Sequence, residues 1–185
     1  MPDSTRSSMM EVVPMPSRRR RREQDDYRDF FVKRYPQVVR TVWFVVHDWA
    51  VAEEVAQEAF LQLYRHWSRL RDYDRPDLWV RRVAIRRAQR EASRRARRET
   101  VERLASDTPP VQDGFGLPDP ELVAAVRSLP ARQRAVVVLY YLEDRPMAEV
   151  ADLVGCSTST GFVHLHHART RLAAALRLEV DDDVR

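Results

Sequence analysis

Glycine is scarce, 4 in 185 residues, while apolar side chains recur three and four positions apart along most of the chain. A β protein needs short alternating runs broken by turn clusters rich in glycine, and that pattern is missing. The spacing instead predicts amphipathic helices throughout, an all-α fold. With 44% hydrophobic residues the chain can build packed cores, and its length suits one ordinary domain or two small ones.

Charge narrows the partners. Lys and Arg total 32 against 28 Asp and Glu, a net of only +4, but the basic residues are almost all arginine and are bunched. Local potential then outweighs the sum, and a phosphate-rich partner is the natural candidate. Cys156 is the single cysteine, with no second thiol for a disulfide and no metal-ligand cluster beside it. That composition suits a reducing cytoplasm and predicts no cofactor. No apolar run approaches the roughly 18 residues of a membrane span, and no signal-peptide apolar stretch follows the arginines at 18–22, so membrane insertion is not expected.

Residues 1–24 are rich in Ser, Pro, Met and Arg without periodicity and are expected to be a disordered basic tail, more a solvated segment than a DNA contact. A helical domain is predicted over 25–98. Its first face carries Tyr27, Phe30, Phe31, Tyr35, Val38, Val39, Val42, Val45 and Val46, with Pro36 at a helix start or kink. A second helix, about 50–67, buries Val51, Val55, Ala59, Phe60, Leu63, Tyr64 and Trp67 and leaves Glu53, Glu54, Gln57, Glu58 and Gln62 outside. A polar segment with Tyr73 leads to a third helix, about 76–98, dense in arginine. Between 99 and 119 periodicity gives way to Pro, Gly and Asp, the chemistry of a flexible linker. Asp119-Pro120, Ser128-Leu129-Pro130 and Asp144-Arg145-Pro146 then read as successive helix starts of a second small domain over 120–178, and an acidic tail closes the chain at 179–185.

Met147 to Leu172 has the layout of a helix-turn-helix: a helix ending at Val154, Gly155 where the backbone needs freedom, Ser157 as a cap, then a helix with Phe162, Leu165, Ala168, Leu172 and Leu176 on its apolar face. Such a turn aims the start of the second helix at a major groove. Ser157, Thr158, Ser159, Thr160, His164 and His167 are the candidates for base edges, with Arg169 and Arg171 near phosphates. A plain αα-hairpin would show the same periodicity. His164, His166 and His167 lack companion Cys or carboxylate ligands, so phosphate-facing or solvated histidines are expected rather than a metal site.

In the arginine-rich helix, Trp79 stands four residues before Val83, the spacing of a buried stripe, and is assigned to the core. Its arginines are a different matter, because like charges at helical contact distance repel unless a polyanion relieves them. Arginines that anchor phosphates, beside an aromatic that can stack on a base, suit opened DNA.

Ala52-Glu53-Glu54-Val55-Ala56-Gln57-Glu58-Ala59-Phe60 resembles the core-polymerase-binding helix of the sigma-70 superfamily, in particular its extracytoplasmic-function group and the actinobacterial sigma-E-like members. Trp79-Val80-Arg81-Arg82-Val83-Ala84 resembles the promoter-melting helix that follows it, and Leu129-Pro130-Ala131-Arg132-Gln133-Arg134 with the helix-turn-helix resembles the C-terminal domain. The resemblance covers about 27–176 in order. It implies an alternative sigma factor, not an enzyme: Glu54, Gln57, Glu58 and Leu61 on the clamp of core RNA polymerase; Tyr73, Arg81, Arg82, Arg86, Arg87, Arg90 and Arg94 on the minus-ten element; Ser157, Thr158, Ser159, Thr160, His164, His167 and Arg169 on the minus-thirty-five element. The second domain would also touch the polymerase flap, and an anti-sigma factor is a further candidate partner. Arg86 and Arg90 stand where the family carries Asn and Asp, and Ser159-Thr160-Gly161-Phe162-Val163-His164 replaces the usual Gly-Thr-Val-Lys-Ser-Arg, which puts promoter preference in question.

A stand-alone helix-turn-helix regulator would explain the second domain but not the acidic helix. A recombinase would need a catalytic domain, for which no phosphate loop or acid-base pair is present.

Overall fold

The structure is a computed structural model that describes residues 18–72, 75–102 and 119–177. Among these residues every element is helical: α1 (Arg18–Val46), α2 (Trp49–Arg65), α3 (Trp67–Leu70), α4 (Pro76–Glu102), α5 (Pro120–Ser128), α6 (Ala131–Val137), a π-helical turn (Val138–Leu142), α7 (Met147–Val154) and α8 (Thr158–Leu176). Tyr73, the linker residues 103–118 and both chain ends lie outside the described residues.

α1, α2 and α4 pack on one another as a three-helix unit. Phe60 anchors it, with the rings of Phe30, Phe31 and Tyr35 around it and the Tyr27 hydroxyl donating to its carbonyl at 2.8 Å. Burial, with Tyr64 nearby, pushes the Tyr27 phenol up to about 12. Asp48 caps α2 by accepting from the Val51 amide, and Arg95 of α4 donates to its other oxygen at 2.8 Å, so the cap also ties two helices together. Burial alone would raise the Asp48 carboxyl, yet these donors hold it below its ordinary value.

Several expectations need correction. The chain is helical from Arg18, within the stretch 1–24 expected to be a disordered tail, and Glu23 lies near Arg71, which gives the start of α1 a tertiary contact. Pro36 does not start α1 but sits inside it, where it and Val32 are both exposed, so the carbonyl deprived of its helical donor can turn to water. Tyr64 is largely exposed rather than core. Of the three expected helix starts, Asp119 alone caps with its side chain, accepting from the Glu121 amide; Pro130 and Pro146 occupy the other two cap positions without a side-chain bond.

The second unit, α5 to α8, is built on Leu129, Val136, Leu139, Val150, Leu153, Leu165 and Ala168, all buried. Gly155 adopts the left-handed conformation that ends α7 (φ 83°), and the Ser157 hydroxyl accepts from the Thr160 amide to start α8, as the sequence indicated. α8 crosses α7 closely because position 161 has no side chain: a Cβ there would lie 2.6 Å from Met147 Sδ. α8 turns Gly161, Leu165 and Ala168 inward. Phe162 is therefore turned outward, contrary to its expected place in the core.

The two units do not stand apart. α6 packs on α1 and α4, α7 packs on α4, and the buried apolar residues of both units form one contiguous cluster.

Candidate nucleic-acid and polymerase interfaces

Three surfaces carry the expected functional residues. On α2 the spacing of Glu54, Gln57, Glu58 and Leu61 places them on one face, opposite the buried Ala52, Val55, Ala56, Ala59 and Phe60. Glu54, Gln57 and Leu61 are exposed, Tyr64 continues the stripe, and Glu58 is ion-paired with Arg87 of α4. An acidic and amide surface around an exposed leucine suits docking to another protein.

The arginines of α4 divide by their partners. Arg81 is only 4% exposed; it pairs with Glu143 at 2.7 Å and reaches Gln37 at 3.2 Å. Burial pushes its guanidinium down, and Glu143 opposes that shift. Arg82 pairs with the Asp152 carboxylate, while Arg86 donates to the Asp152 carbonyl at 3.1 Å and lies over Gly155. Just before α4, Arg75 pairs with Glu149, whose carboxyl it holds below the usual range. Three arginines expected near phosphates, Arg81, Arg82 and Arg86, together with Arg75, thus face carboxylates or a carbonyl of the second unit. Arg90 and Arg94 remain exposed, with Arg94 3.7 Å from Glu91.

On α8 the hydroxyls are not independent. Ser157 Oγ lies 2.9 Å from Ser159 Oγ and 2.7 Å from Thr160 Oγ1, so the three form a small hydrogen-bonded cap cluster. His164 is partly buried with its Nε2 unpaired, and burial together with Arg132 and His167 lowers its pKa. His167 and Thr158 are exposed and Arg169 is half-buried. Sequence reasoning missed Phe162 and Val163, each 51% exposed beside these residues. The glycine at 161 was the available signal, since it lies four residues before Leu165 and can take the inward place of Phe162. Among the described residues no cluster of three or more His, Cys, Asp or Glu could hold a metal, and no helix is long and apolar enough to cross a membrane.

Comparison with known proteins assigns both units. The model of Sigma-70 region 2 matches residues 30–98, and that of Sigma-70, region 4 matches residues 120–172. The chain belongs to the sigma-70 family, in its extracytoplasmic-function group. It is an alternative sigma factor that directs transcription initiation, a family that is not an enzyme class. The sigma factor is 27% identical over 157 residues to the RNA polymerase sigma-E factor of Streptomyces antibioticus, covering 82% of this chain and 84% of that one. It is also 27% identical over 150 residues to the probable RNA polymerase sigma factor RfaY of Xanthomonas campestris pv. campestris, covering 74% of this chain but only 37% of that longer protein. In fold it resembles the sigma factor RpoE solved with the anti-sigma factor NepR from Bartonella quintana (TM-score 0.66, 17% identity, 84% of this chain and 99% of that one). CnrH, solved with the cytosolic domain of CnrY, is similar as well (TM-score 0.58, 19% identity, 83% and 89%).

Proposed function

We propose that the sigma factor uses its three surfaces in a division of labour. The α2 face of Glu54, Gln57, Glu58 and Leu61 docks on the clamp of core RNA polymerase. Arg81, Arg82, Arg86, Arg87, Arg90 and Arg94 of α4, with Tyr73, hold the minus-ten element, and the start of α8 enters the minus-thirty-five element while the second unit meets the flap. The observation that carries this reading is the exposed acidic, amide and leucine stripe on α2 within the region 2 match. A stand-alone helix-turn-helix regulator has no use for that stripe.

The docked arrangement is then a resting state. Glu143, Glu149 and Asp152 occupy arginines that would otherwise meet phosphates, so the second unit must leave α4 before the minus-ten surface is complete. Core polymerase separates the units by offering each its own site. A cytoplasmic setting and an anti-sigma factor that seals the same surfaces fit this reading. The test is reconstitution: core RNA polymerase with the purified chain should produce discrete transcripts from a genomic fragment library that core alone does not, and the absence of any such transcript would contradict it.

A further inference from the structure

Docking the units creates a concavity between α4 and α6 of about 260 Å³, lined by Gln89, Arg90, Ser93, Arg94, Arg97 and Arg132. Arg90, Arg94 and Arg97 lie four and three residues apart, hence on one side of α4, and Arg132 comes from α6 of the other unit. Nearby acidity is slight, since the only ion pair from these arginines among the described contacts is Arg94 with Glu91, at 3.7 Å and with both side chains exposed. Guanidinium groups gathered in one hollow repel one another unless an anion joins them. The field of Arg132 also reaches His164, where it disfavours the charged imidazole.

Gln89 also lines this concavity and is 8% exposed. The guanidinium forks around it supply the paired donors that match phosphoryl oxygens. Arg90 is already held for this, its Nε donating to the Arg86 carbonyl at 3.1 Å.

We propose that this concavity binds a small oligophosphate, a ligand carrying two or three phosphoryl groups, and that it does so only while the units are docked. The inference rests on the docked resting state proposed above. Several converging arginines favour a multiply charged ligand over a single carboxylate. A small ligand is favoured over a nucleic-acid backbone because the site is concave, is shared between the units, and exists only when the neighbouring arginines of α4 are covered. By linkage, a ligand that binds the docked form alone stabilises it and opposes polymerase binding.

The experiment uses the full chain with sodium tripolyphosphate as the probe and sodium sulfate at matched ionic strength as the control, read by titration calorimetry and by the distance between spin labels on α4 and α8. One tripolyphosphate should bind per chain, the short distance should persist, and Arg132→Ala or Arg97→Ala should each weaken binding by at least about tenfold, the loss of one charge-assisted contact. Duplex DNA forms the second arm. Several ligands per chain, equal binding by Arg132→Ala, or occupancy by DNA and not by tripolyphosphate would overturn the proposal. A short distance in the free protein with no saturable binding of the probe defeats the ligand site alone, whereas a long distance in the free protein defeats the resting state and the ligand site together.

Discussion

Arg81 of α4 and Glu143, just after the π-helical turn, form an ion pair between the two units at 2.7 Å, with their side chains 5% and 13% exposed. Thr41 of α1 donates to the same Glu143 oxygen, and Arg145 donates to the other at 2.7 Å, so one carboxylate joins three segments. Removing one partner of a buried pair costs on the order of 3 to 5 kcal/mol, most of it the uncompensated charge. In Glu143→Gln, Arg81 regains water if the units separate. The substitution is therefore expected to open the free protein and to raise its affinity for DNA at low salt, as measured by fluorescence anisotropy. Unchanged affinity would show that the pair does not govern docking.

His47 gives the docked state a pH dependence. It follows α1 in a left-handed conformation (φ 55°), and burial, then Arg134, Arg127 and Arg95, lowers its pKa to about 3. Arg134 and Arg127 belong to the second unit, Arg95 to α4. The folded form excludes a proton that the unfolded form binds below about 6.5, so stability is present above that pH and is lost as pH falls toward 3, at roughly 1.4 kcal/mol per unit. Between pH 7 and pH 5.5 the thermal midpoint of wild type should fall further than that of His47→Asn, a residue that tolerates the same backbone conformation. Equal falls would remove His47 as the cause.

Charge reversal at Glu54 should weaken binding to core polymerase without altering the fold, because the residue is exposed on α2. Glu54→Arg is expected to lose affinity in a core titration while keeping the wild-type circular dichroism melt. Unchanged core affinity would assign the α2 stripe elsewhere.

In the proposed minus-thirty-five contact, exposed apolar residues of α8 stand beside the polar ones. Thr160 is committed to the cap cluster and His164 is partly buried, whereas Phe162 and Val163 are exposed on the same two turns. Apolar side chains in a major groove recognise the thymine methyl, and a good base contact is worth about 1 to 3 kcal/mol of discrimination. Replacing thymine by deoxyuridine in the minus-thirty-five element should weaken the wild-type holoenzyme at one or two positions and leave Phe162→Ala indifferent. Equal sensitivity of both proteins would rule out methyl reading by Phe162.

What was legible in the sequence was local. Gly155, Ser157 and Asp119 act through neighbours within a few residues, and the α2 stripe follows from helical spacing alone. The fate of Arg81 was not legible, because its partner lies 62 residues away on another unit and nothing in helical periodicity encodes that docking. Phe162 was misplaced for a subtler reason: periodicity favours the larger apolar residue as the inward one, but close packing on Met147 selected Gly161. Expected minus-ten arginines turned out to be engaged because the same charge that suits a phosphate also suits a carboxylate of the protein itself.

In the proposed function core polymerase separates the two docked units. Spin labels on cysteines replacing Ser93 of α4 and Thr170 of α8, both exposed, in a Cys156→Ser background, report it directly by pulsed dipolar spectroscopy. One narrow short distance is expected in the free protein and a distinctly longer one once core enzyme is bound. An unchanged short distance in a holoenzyme that initiates transcription would contradict it.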